Sequence, residues 1–540
     1  MWRPSPSTHR VACFLGAAAV ALFCGMASAY PAEDLVDILP GLDDKSQPGA
    51  KWYSGYLSYR LPAMDNRLIN THYVYIEQQQ TDGFESKGST PATGSTSTLR
   101  RTQSTPDDEG PLIFWSNGGP GASSLYGILT EMGPLVLNDD SLETEEYKRT
   151  GIPTLLSNPY SWSKLGPMLI FDAPAPVGFS YCDDNPGGDG LSCGGWDDDS
   201  AAWNNYHALL AFYEKFPELK SRPLFLSGES YAGIYIPTFA QRIVMHNAGE
   251  IPGLSEDRIQ INLKGFAVGD ACAGKSINCG VEAAMFELMF LAGHGQIPLR
   301  LMHVVHELCT MEELHTPGAV LSPECSAAVE KAKSSAGGYF EYSLYDDCTY
   351  RNGLRRERPH ISYTRVNAKG ALNDYVCGGG EVLNEFVKHP KVMKAFHIPP
   401  ETSFFIGDNG IGFNYTPSVD NLLPFYYNVS KGKYADQELR TLVYNGDTDP
   451  ALDSFQAQNW TMSIGLKEAE EWTPWTIDGC RRMGGFVTRY EGGLDFLTIR
   501  GAGHMVPTNK PAAAFAFFKA WLENEPYPPY VADCVAPPSS

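Results

Sequence analysis

A serine set among small residues stands at the end of an apolar run, where it could act as a nucleophile. Pro223-Leu-Phe-Leu-Ser227 leads into Gly228-Glu-Ser-Tyr-Ala-Gly233, and a helical stretch follows. A strand, a tight turn and a helix form a nucleophile elbow, which lifts the hydroxyl of Ser230 off a sheet. The G-x-S-x-G pattern is only partly met, because Ala232 stands in place of the second glycine.

A serine nucleophile needs a base to remove its proton and an acid to orient that base. Two later segments supply these residue types: Thr441-Leu-Val-Tyr444 leads into Asn445-Gly-Asp-Thr-Asp449, and Phe496-Leu-Thr-Ile499 leads into the glycine-rich turn before His504. Each segment is an apolar run followed by a turn. The order Ser, Asp, His is that of α/β-hydrolases, so the spacing predicts a catalytic triad.

The elements that must position these residues are short apolar strands alternating with helical stretches, an arrangement typical of a mostly parallel sheet covered on both faces. We therefore predict an α/β fold with a helix near 198–216. Strands are predicted at 52–61, 70–78, 111–115, 167–171, 223–227, 260–268, 441–444 and 496–499.

Two segments interrupt this alternation. Residues 80–110 are rich in Ser, Thr, Gly and Pro, which predicts a low-complexity loop insertion. Residues 274–424 combine helical and irregular stretches, which predicts an inserted cap. The expected organisation is a first core segment at 30–273, the cap at 274–424 and a second core segment at 425–540.

The first 29 residues have the pattern of a secretory signal peptide. Arg3 and Arg10 precede the apolar run 11–23, and Ala27-Ser-Ala29 offers a cleavage site before Tyr30. An uncleaved anchor is the alternative, but the run is short for a bilayer span, and no later segment is apolar over the required length. We expect entry into the secretory pathway and no membrane span after cleavage.

Ten cysteines follow residue 29, an even number that predicts up to five disulfides in an oxidising compartment. The close pairs Cys182/Cys193 and Cys272/Cys279 are the best local candidates. No CxxC or HExxH occurs, so no metal site is expected. Glycosylation sequons stand at Asn414, Asn428 and Asn459.

Charge and composition exclude some classes of protein. The chain has 63 acidic and 41 basic residues and a net charge of −22, which argues against nucleic-acid binding through a basic surface. Apolar residues make up 43% of the chain, enough for a large core, so global disorder is excluded.

Four segments in this order, WSNGGPGASS, GESYAG, YNGDTD and GAGHMVP, resemble those of the serine carboxypeptidases, the carboxypeptidase Y and cathepsin A group with the α/β-hydrolase fold. The resemblance extends over the chain after the signal segment. It implies that Ser230 is the nucleophile, His504 the general base and Asp449, rather than Asp447, the triad acid. It also implies an oxyanion hole formed by the backbone N–H groups of Gly119 and Tyr231, and no cofactor.

The resemblance further implies that Asn117, Glu131 and Glu229 hold the free carboxylate of a peptide substrate. Two neighbouring carboxyl groups cannot both ionise easily, so one keeps a proton and can donate to that carboxylate. We therefore expect peptide C-termini to bind best at acid pH, as in a lysosome- or vacuole-like organelle or after secretion. Tyr126 and Met505 match the pocket for the leaving residue, which favours bulky hydrophobic residues.

The chain also departs from the family. Ala122 stands where the family usually has a cysteine, so the disulfide from that loop to the cap should be absent. The charge run Arg355-Arg-Glu-Arg358 is either a solvated loop or a maturation cleavage site that yields two disulfide-linked chains.

Alternative functions remain open at this point. They are an acyltransferase on the same scaffold and a non-catalytic protective partner; a homodimer is also open. Gly269-Asp-Ala-Cys-Ala-Gly-Lys-Ser276 satisfies the P-loop pattern for nucleotide binding. The secretory signal and Cys272, which a disulfide to Cys279 would tie down, argue against that use.

Overall fold

The apolar strands assemble into one large β-sheet. The computed structural model describes residues 30–42, 49–79, 110–187, 193–255, 259–346, 348, 375–407 and 414–534. Within them the strands are β1 Trp52–Leu61, β2 Arg67–Ile76, β3 Leu112–Ser116, β4 Leu135–Val136, β5 Leu156–Ser157, β6 Met168–Phe171, β7 Tyr181–Cys182, β8 Trp196–Asp197, β9 Leu224–Glu229, β10 Leu263–Gly269, β11 Tyr415–Thr416, β12 Arg440–Gly446, β13 Glu468–Thr476, β14 Met483–Tyr490 and β15 Leu494–Ile499.

The sheet is parallel in its centre and antiparallel at its edges. Its order is β1-β2-β6-β3-β9-β10-β12-β15-β14-β13, with β7 beside β2. The six central strands, β6-β3-β9-β10-β12-β15, pair in parallel. The pairs β1-β2 and β2-β6 at one edge, and β15-β14 and β14-β13 at the other, are antiparallel. The predicted mostly parallel α/β sheet is confirmed; β13 and β14 were not predicted.

Helices cover this sheet and extend beyond it. In the described residues they are α1 Glu145–Thr150, α2 Asp198–Lys215, α3 Ala232–Ala248, α4 Ala284–Gly293, α5 Leu299–Leu308, α6 Met311–His315, α7 Pro323–Ser334, α8 Gly379–Val387, α9 Pro390–Ala395, α10 Leu423–Ser430, α11 Ser454–Ser463, α12 Val506–Asn509 and α13 Pro511–Glu523. The predicted helix near 198–216 is α2. It begins at a capping box, in which Asp197 accepts from the N–H of Ser200 at 2.8 Å.

Both faces of the sheet are buried under helices. Successive side chains of a strand point to opposite faces. In β3, Leu112 and Phe114 join one hydrophobic cluster with α2 and α3, whereas Ile113 and Trp115 join a second cluster with α8 and α13. Burial on both faces explains why the central strands are continuous apolar runs.

Helices α4 to α7 form a hydrophobic cluster of their own, separate from the two on the sheet. Leu288, Val305 and Val329 lie in it. In contrast, α8 and α9, which also fall within 274–424, pack into the cluster on the second face of the sheet. The boundaries of core and cap at 273/274 and 424/425 stay a prediction.

Five disulfides link the ten cysteines, as the even number predicted. Both local pairs, Cys182–Cys193 and Cys272–Cys279, are confirmed. The others are Cys309–Cys325, Cys348–Cys377 and Cys480–Cys534.

Three predictions fall outside the described residues: the signal peptide at 1–29, the loop insertion at 80–110 except its last residue, and the charge run at 355–358. The Cys348–Cys377 disulfide brackets that charge run in the sequence. Within the ranges that the structure covers, no helix combines the length and apolar character needed to cross a membrane.

Candidate active site

The three residues of the predicted triad lie at one edge of the sheet. Ser230 follows β9, Asp449 follows β12 and His504 follows β15. These strands, with β10 between β9 and β12, are parallel neighbours. Because the carboxyl ends of parallel strands meet at the same edge, residues more than 200 positions apart are brought together.

Ser230 occupies a strained turn between β9 and α3. Its φ of +64° lies in the left-handed region, which residues with a side chain rarely adopt outside functional sites. Gly228 lets the turn close, because a Cβ there would lie 2.7 Å from the Cβ of Ala232. The N–H of Ser230 donates to the carbonyl of Gly269 at 2.9 Å. The elbow is therefore present although the glycine pattern is incomplete.

Asp449 and His504, the predicted acid and base, form a buried pair. His504 Nδ1 lies 2.7 Å from Asp449 Oδ2, and both side chains are buried. The carboxylate holds the proton on Nδ1 and leaves Nε2 to accept one. Asp447 lies apart and accepts from the N–H of Gly501 at 2.6 Å. Among the described residues no hydrogen bond joins Ser230 to His504; such bonds often form only with bound substrate.

Two further residues, Asp270 and Tyr342, lie beside this pair, and the sequence analysis did not predict them. Asp270, which follows β10, is fully buried, and ligand atoms of Asp270, Asp449 and His504 lie within 4.8 Å of one another. The Asp449–His504 hydrogen bond accounts for some of this closeness. The ring of Tyr342 lies on His504, with ring centroids 4.8 Å apart, and its carbonyl accepts from the N–H of His504 at 2.8 Å.

The glycine loop after β3 lies directly against the elbow. A Cβ on Gly118 would lie 2.4 Å from the backbone nitrogen of Tyr231, so only glycine permits this approach. Gly119 has a φ of +107°, which also requires glycine. The loop that carries Gly119 is thus held beside the N–H of Tyr231, the arrangement that an oxyanion hole built from these two groups needs. The phenol of Tyr231 donates to the buried Asp198 at 2.8 Å.

Polar contacts hold this loop where the family's cysteine is absent. Next to Ala122, Ser123 Oγ donates to Asp172 Oδ1 at 2.5 Å, and Asp172 Oδ2 lies 2.7 Å from His72 Nδ1. All three side chains are buried. The carbonyl of Gly121 accepts from the N–H of Gly407 at 2.9 Å. The loop is therefore fixed by a buried network and not by a disulfide.

Asn117, Glu131 and Glu229 meet in one buried group next to Ser230. Asn117 Nδ2 donates to Glu229 Oε1 at 2.9 Å and to Glu131 Oε1 at 3.2 Å. Its Oδ1 accepts from Trp115 Nε1 at 2.9 Å and from the N–H of Gly127 at 3.0 Å, which fixes the orientation of the amide. Glu131 lies on a π-helical turn, Gly127–Glu131. The second carboxyl oxygens of both glutamates are buried, and outside this pair of acids no described residue donates a hydrogen bond to them.

Burial shifts the protonation of both glutamates. It raises the pKa of Glu131 from 4.5 to about 7, against the hydrogen bonds from Glu229 and Asn117 that lower it. The pKa of Glu229 is raised well above its usual value by burial and then by the charge of Glu131 and the hydrogen bond to it. The pair therefore keeps a proton above the usual range of a glutamate and can donate a hydrogen bond to an anion.

A cavity of about 490 Å³ opens beside this group. Tyr126 and Met505, the residues predicted for the leaving-residue pocket, both line it together with Glu131. Phe340 adds to its apolar surface, whereas Asp346 lies on its wall. The cavity thus combines the two predicted pocket residues with two acids that the sequence interpretation missed, Asp346 and Glu381.

The predicted glycosylation sites differ in exposure. Asn414 and Asn459 are exposed, whereas Asn428, on α10, is partly buried. Glycosylation of all three stays a prediction.

The comparisons with known proteins agree with this geometry. A family model described as serine carboxypeptidase matches residues 96–524. The lysosomal protective protein of Mus musculus is 31% identical over 527 residues, covering 92% of this chain and 95% of that protein. A serine carboxypeptidase of Caenorhabditis elegans is 28% identical, covering 92% of this chain and 95% of the relative. The structure of a prohormone-processing carboxypeptidase from Saccharomyces cerevisiae shares the fold, with a TM-score of 0.61 and 20% identity over 90% of this chain and 94% of that chain.

Proposed function

We propose, because this chain belongs to the serine carboxypeptidase family, that it releases single residues from the carboxyl ends of peptides through an acyl-enzyme on Ser230. The observation that carries this proposal is the buried group of Asn117, Glu131 and Glu229 beside the elbow. A hydrolase that cuts within a chain has no use for a group that donates to a free carboxylate. The proposed substrates are therefore peptide and protein C-termini.

The proposed reaction has two halves. His504 takes the proton of Ser230 as the Ser230 oxygen attacks the carbonyl of the last peptide bond. Asp449 orients the imidazole of His504. The N–H groups of Gly119 and Tyr231 stabilise the negative charge on the carbonyl oxygen. His504 then gives the proton to the leaving amine, and the C-terminal residue departs. A water molecule then attacks the acyl-enzyme while His504 takes its proton, and His504 gives that proton to the Ser230 oxygen as the shortened peptide leaves.

Acid conditions suit this proposal. Below the pKa of Glu131, about 7, both glutamates carry protons and can donate to the substrate carboxylate. The five disulfides fit an oxidising compartment. We therefore propose a secretory-pathway enzyme that acts after secretion or in an acidic organelle; a homodimer stays a prediction.

The leaving residue is the least constrained feature of the proposal. Tyr126, Met505 and Phe340 favour a bulky hydrophobic residue in the cavity. Asp346 on the same wall favours a basic residue as the second candidate. A comparison of Z-Phe-Leu with Z-Phe-Arg as substrates decides between them.

The test of the proposed function is release of leucine from Z-Phe-Leu at pH 5. Ser230→Ala should abolish release, and Asp449→Asn should lower kcat by about 10⁴-fold, because the amide favours the wrong tautomer of His504. Asp447→Asn, a charge removed from the same turn without contact to His504, is the matched control and should change the rate much less.

Two results would contradict this assignment. Wild-type protein that fails to release leucine but reacts with a fluorophosphonate probe would favour the acyltransferase. No reaction with the probe would favour the non-catalytic protective partner.

A further inference from the structure

Asp270 is a buried acid that the reaction described above does not use. It follows β10, the strand between β9 and β12, and therefore lies between the elbow of Ser230 and the turn of Asp449. Its side chain is fully buried. An isolated carboxylate is costly in such a place, so Asp270 must be protonated or paired.

The contacts of its two oxygens differ. Oδ1 accepts from the backbone N–H of Gly446 at 2.9 Å. Oδ2 is buried and accepts no hydrogen bond from the described residues. A carboxyl oxygen of Asp270, one of Asp449 and a ring nitrogen of His504 lie within 4.8 Å of one another. The oxygen that lacks a donor is thus available to act as a donor itself.

Asp449 is better equipped to hold the negative charge. It lies 2.7 Å from His504 Nδ1 and accepts from the N–H groups of Ala451 and Leu452 at 2.9 and 3.4 Å. Asp270 has one N–H donor, from Gly446, and the charge of Asp449 beside it.

The titratable groups around Asp270 act in the same direction. Burial raises the pKa of Asp270 well above its usual value, and the charge of Asp449 adds to this, against the hydrogen bond from Gly446; Glu229 adds to it only where it is ionised. From β12, the phenol of Tyr444 also faces this acid and is uncharged. A proton shared between two adjacent acids therefore resides on Asp270.

We propose that Asp270 keeps a proton and donates a hydrogen bond from Oδ2 to the carboxylate of Asp449, as a positioning residue behind the triad. The proposal rests on the proposed function in that it takes Ser230, His504 and Asp449 as the reacting set. The hydrogen bond fixes the rotation of the Asp449 carboxylate. It also draws negative charge away from the Asp449 oxygen that faces His504, so that Asp449 stabilises a positive charge on the imidazole less strongly.

The test is the rate of fluorophosphonate labelling of Ser230 between pH 4 and 8. Labelling needs the nucleophile and base but no peptide, so loss of Z-Phe-Leu hydrolysis with normal labelling would contradict the exopeptidase and leave this proposal intact. Asp270→Asn retains a neutral donor. The midpoint of its pH profile of labelling should equal that of the wild type, and its labelling rate should lie within about threefold of the wild-type rate. Asp270→Ala removes the donor; its rate should fall about tenfold and its midpoint should rise by about one pH unit.

An ionised Asp270 makes the opposite prediction. Both substitutions would then remove a negative charge near His504, and both midpoints would move to lower pH. That result, or a wild-type rate and midpoint in Asp270→Ala, would overturn the proposal. If Asp270→Ala does not fold, Asp270→Asn still decides, because an unchanged midpoint supports a neutral Asp270 and a lowered midpoint refutes it. Asp447→Asn controls for loss of a nearby charge outside this contact.

Discussion

The strongest prediction concerns the affinity for peptides above neutral pH and the variant Glu131→Gln. In the proposed complex, deprotonation of Glu131 replaces a hydrogen-bond donor by a negative charge that faces the substrate carboxylate. Its pKa of about 7 places this change between pH 6 and 8. Glutamine has the same shape and remains a donor at every pH, so the variant isolates the effect of that one proton.

The size of the effect follows from the fraction of protein that can bind. At pH 8, one unit above this pKa, about one molecule in eleven still carries the proton on Glu131, so KM should be about tenfold higher than at pH 5. Glu131→Gln should remove most of this rise. Glu131→Gln does not change Glu229, which is buried, and burial raises the pKa of Glu229 above the usual range of a glutamate.

The assay measures kcat and KM for Z-Phe-Leu from pH 4.5 to 8 in both proteins. The amide Z-Phe-Leu-NH₂ lacks the carboxylate, and its KM should not rise with pH. Equal fluorophosphonate labelling of wild type and variant at pH 5 shows that the triad is intact. A wild-type KM that stays flat over this range would refute the reasoning, as would an equal rise in Glu131→Gln.

Two further predictions concern stability and the glycine loop. Burial raises the pKa values of Glu131 and Asp453 to about 7 in the folded protein. Each group therefore contributes stability that is complete below its pKa in the unfolded chain, near 4, and is lost as the pH rises through 7. The loss is roughly 3 kcal/mol per group. Calorimetry should therefore give a lower Tm at pH 8 than at pH 5; a higher Tm at pH 8 would contradict this. Ser123→Ala leaves the buried Asp172 without one donor; unfolding free energy should fall by about 1.5–3 kcal/mol, and kcat should fall more than KM changes, whereas an unchanged kcat would show that Ser123 does not position the loop.

The central strands could be predicted because the sequence expresses their environment locally. Strands buried on both faces favour continuous apolar runs; β6 is such a run throughout, and β3 and β9 contain one at 112–115 and 224–226. The candidate nucleophile, acid and base each follow one of the central strands, so their order and spacing predicted that they share one edge of the sheet. The edge strand β13 gave no such signal, because seven of its nine residues are exposed and it carries Glu468, Glu470 and Glu471.

Contacts between distant segments could not be predicted from local patterns. Tyr342 reaches His504 from a segment 162 positions earlier in the chain, and nothing near either residue indicates the meeting. Asp270 did carry a signal, an acid at the end of an apolar strand. Asp270 lies near Asp449 because β10 stands between β9 and β12 in the sheet. The sequence spacing does not reveal this strand order.

The P-loop match shows how one spacing can serve another purpose. In a P-loop, glycines bring free backbone N–H groups to phosphates. Here Gly269 packs against Tyr444, since a Cβ would lie 2.3 Å from its ring, and Gly274 has a φ of +132°. Several N–H groups of this segment already donate within the protein: Cys272 to Ser230 O, Ala273 to Asn278 Oδ1, Lys275 to Val419 O and Ser276 to Asp420 O. The segment therefore hydrogen-bonds to the elbow and places Asp270 beside Asp449. Its glycines match the P-loop pattern because close packing at Gly269 and positive φ at Gly274 both require glycine.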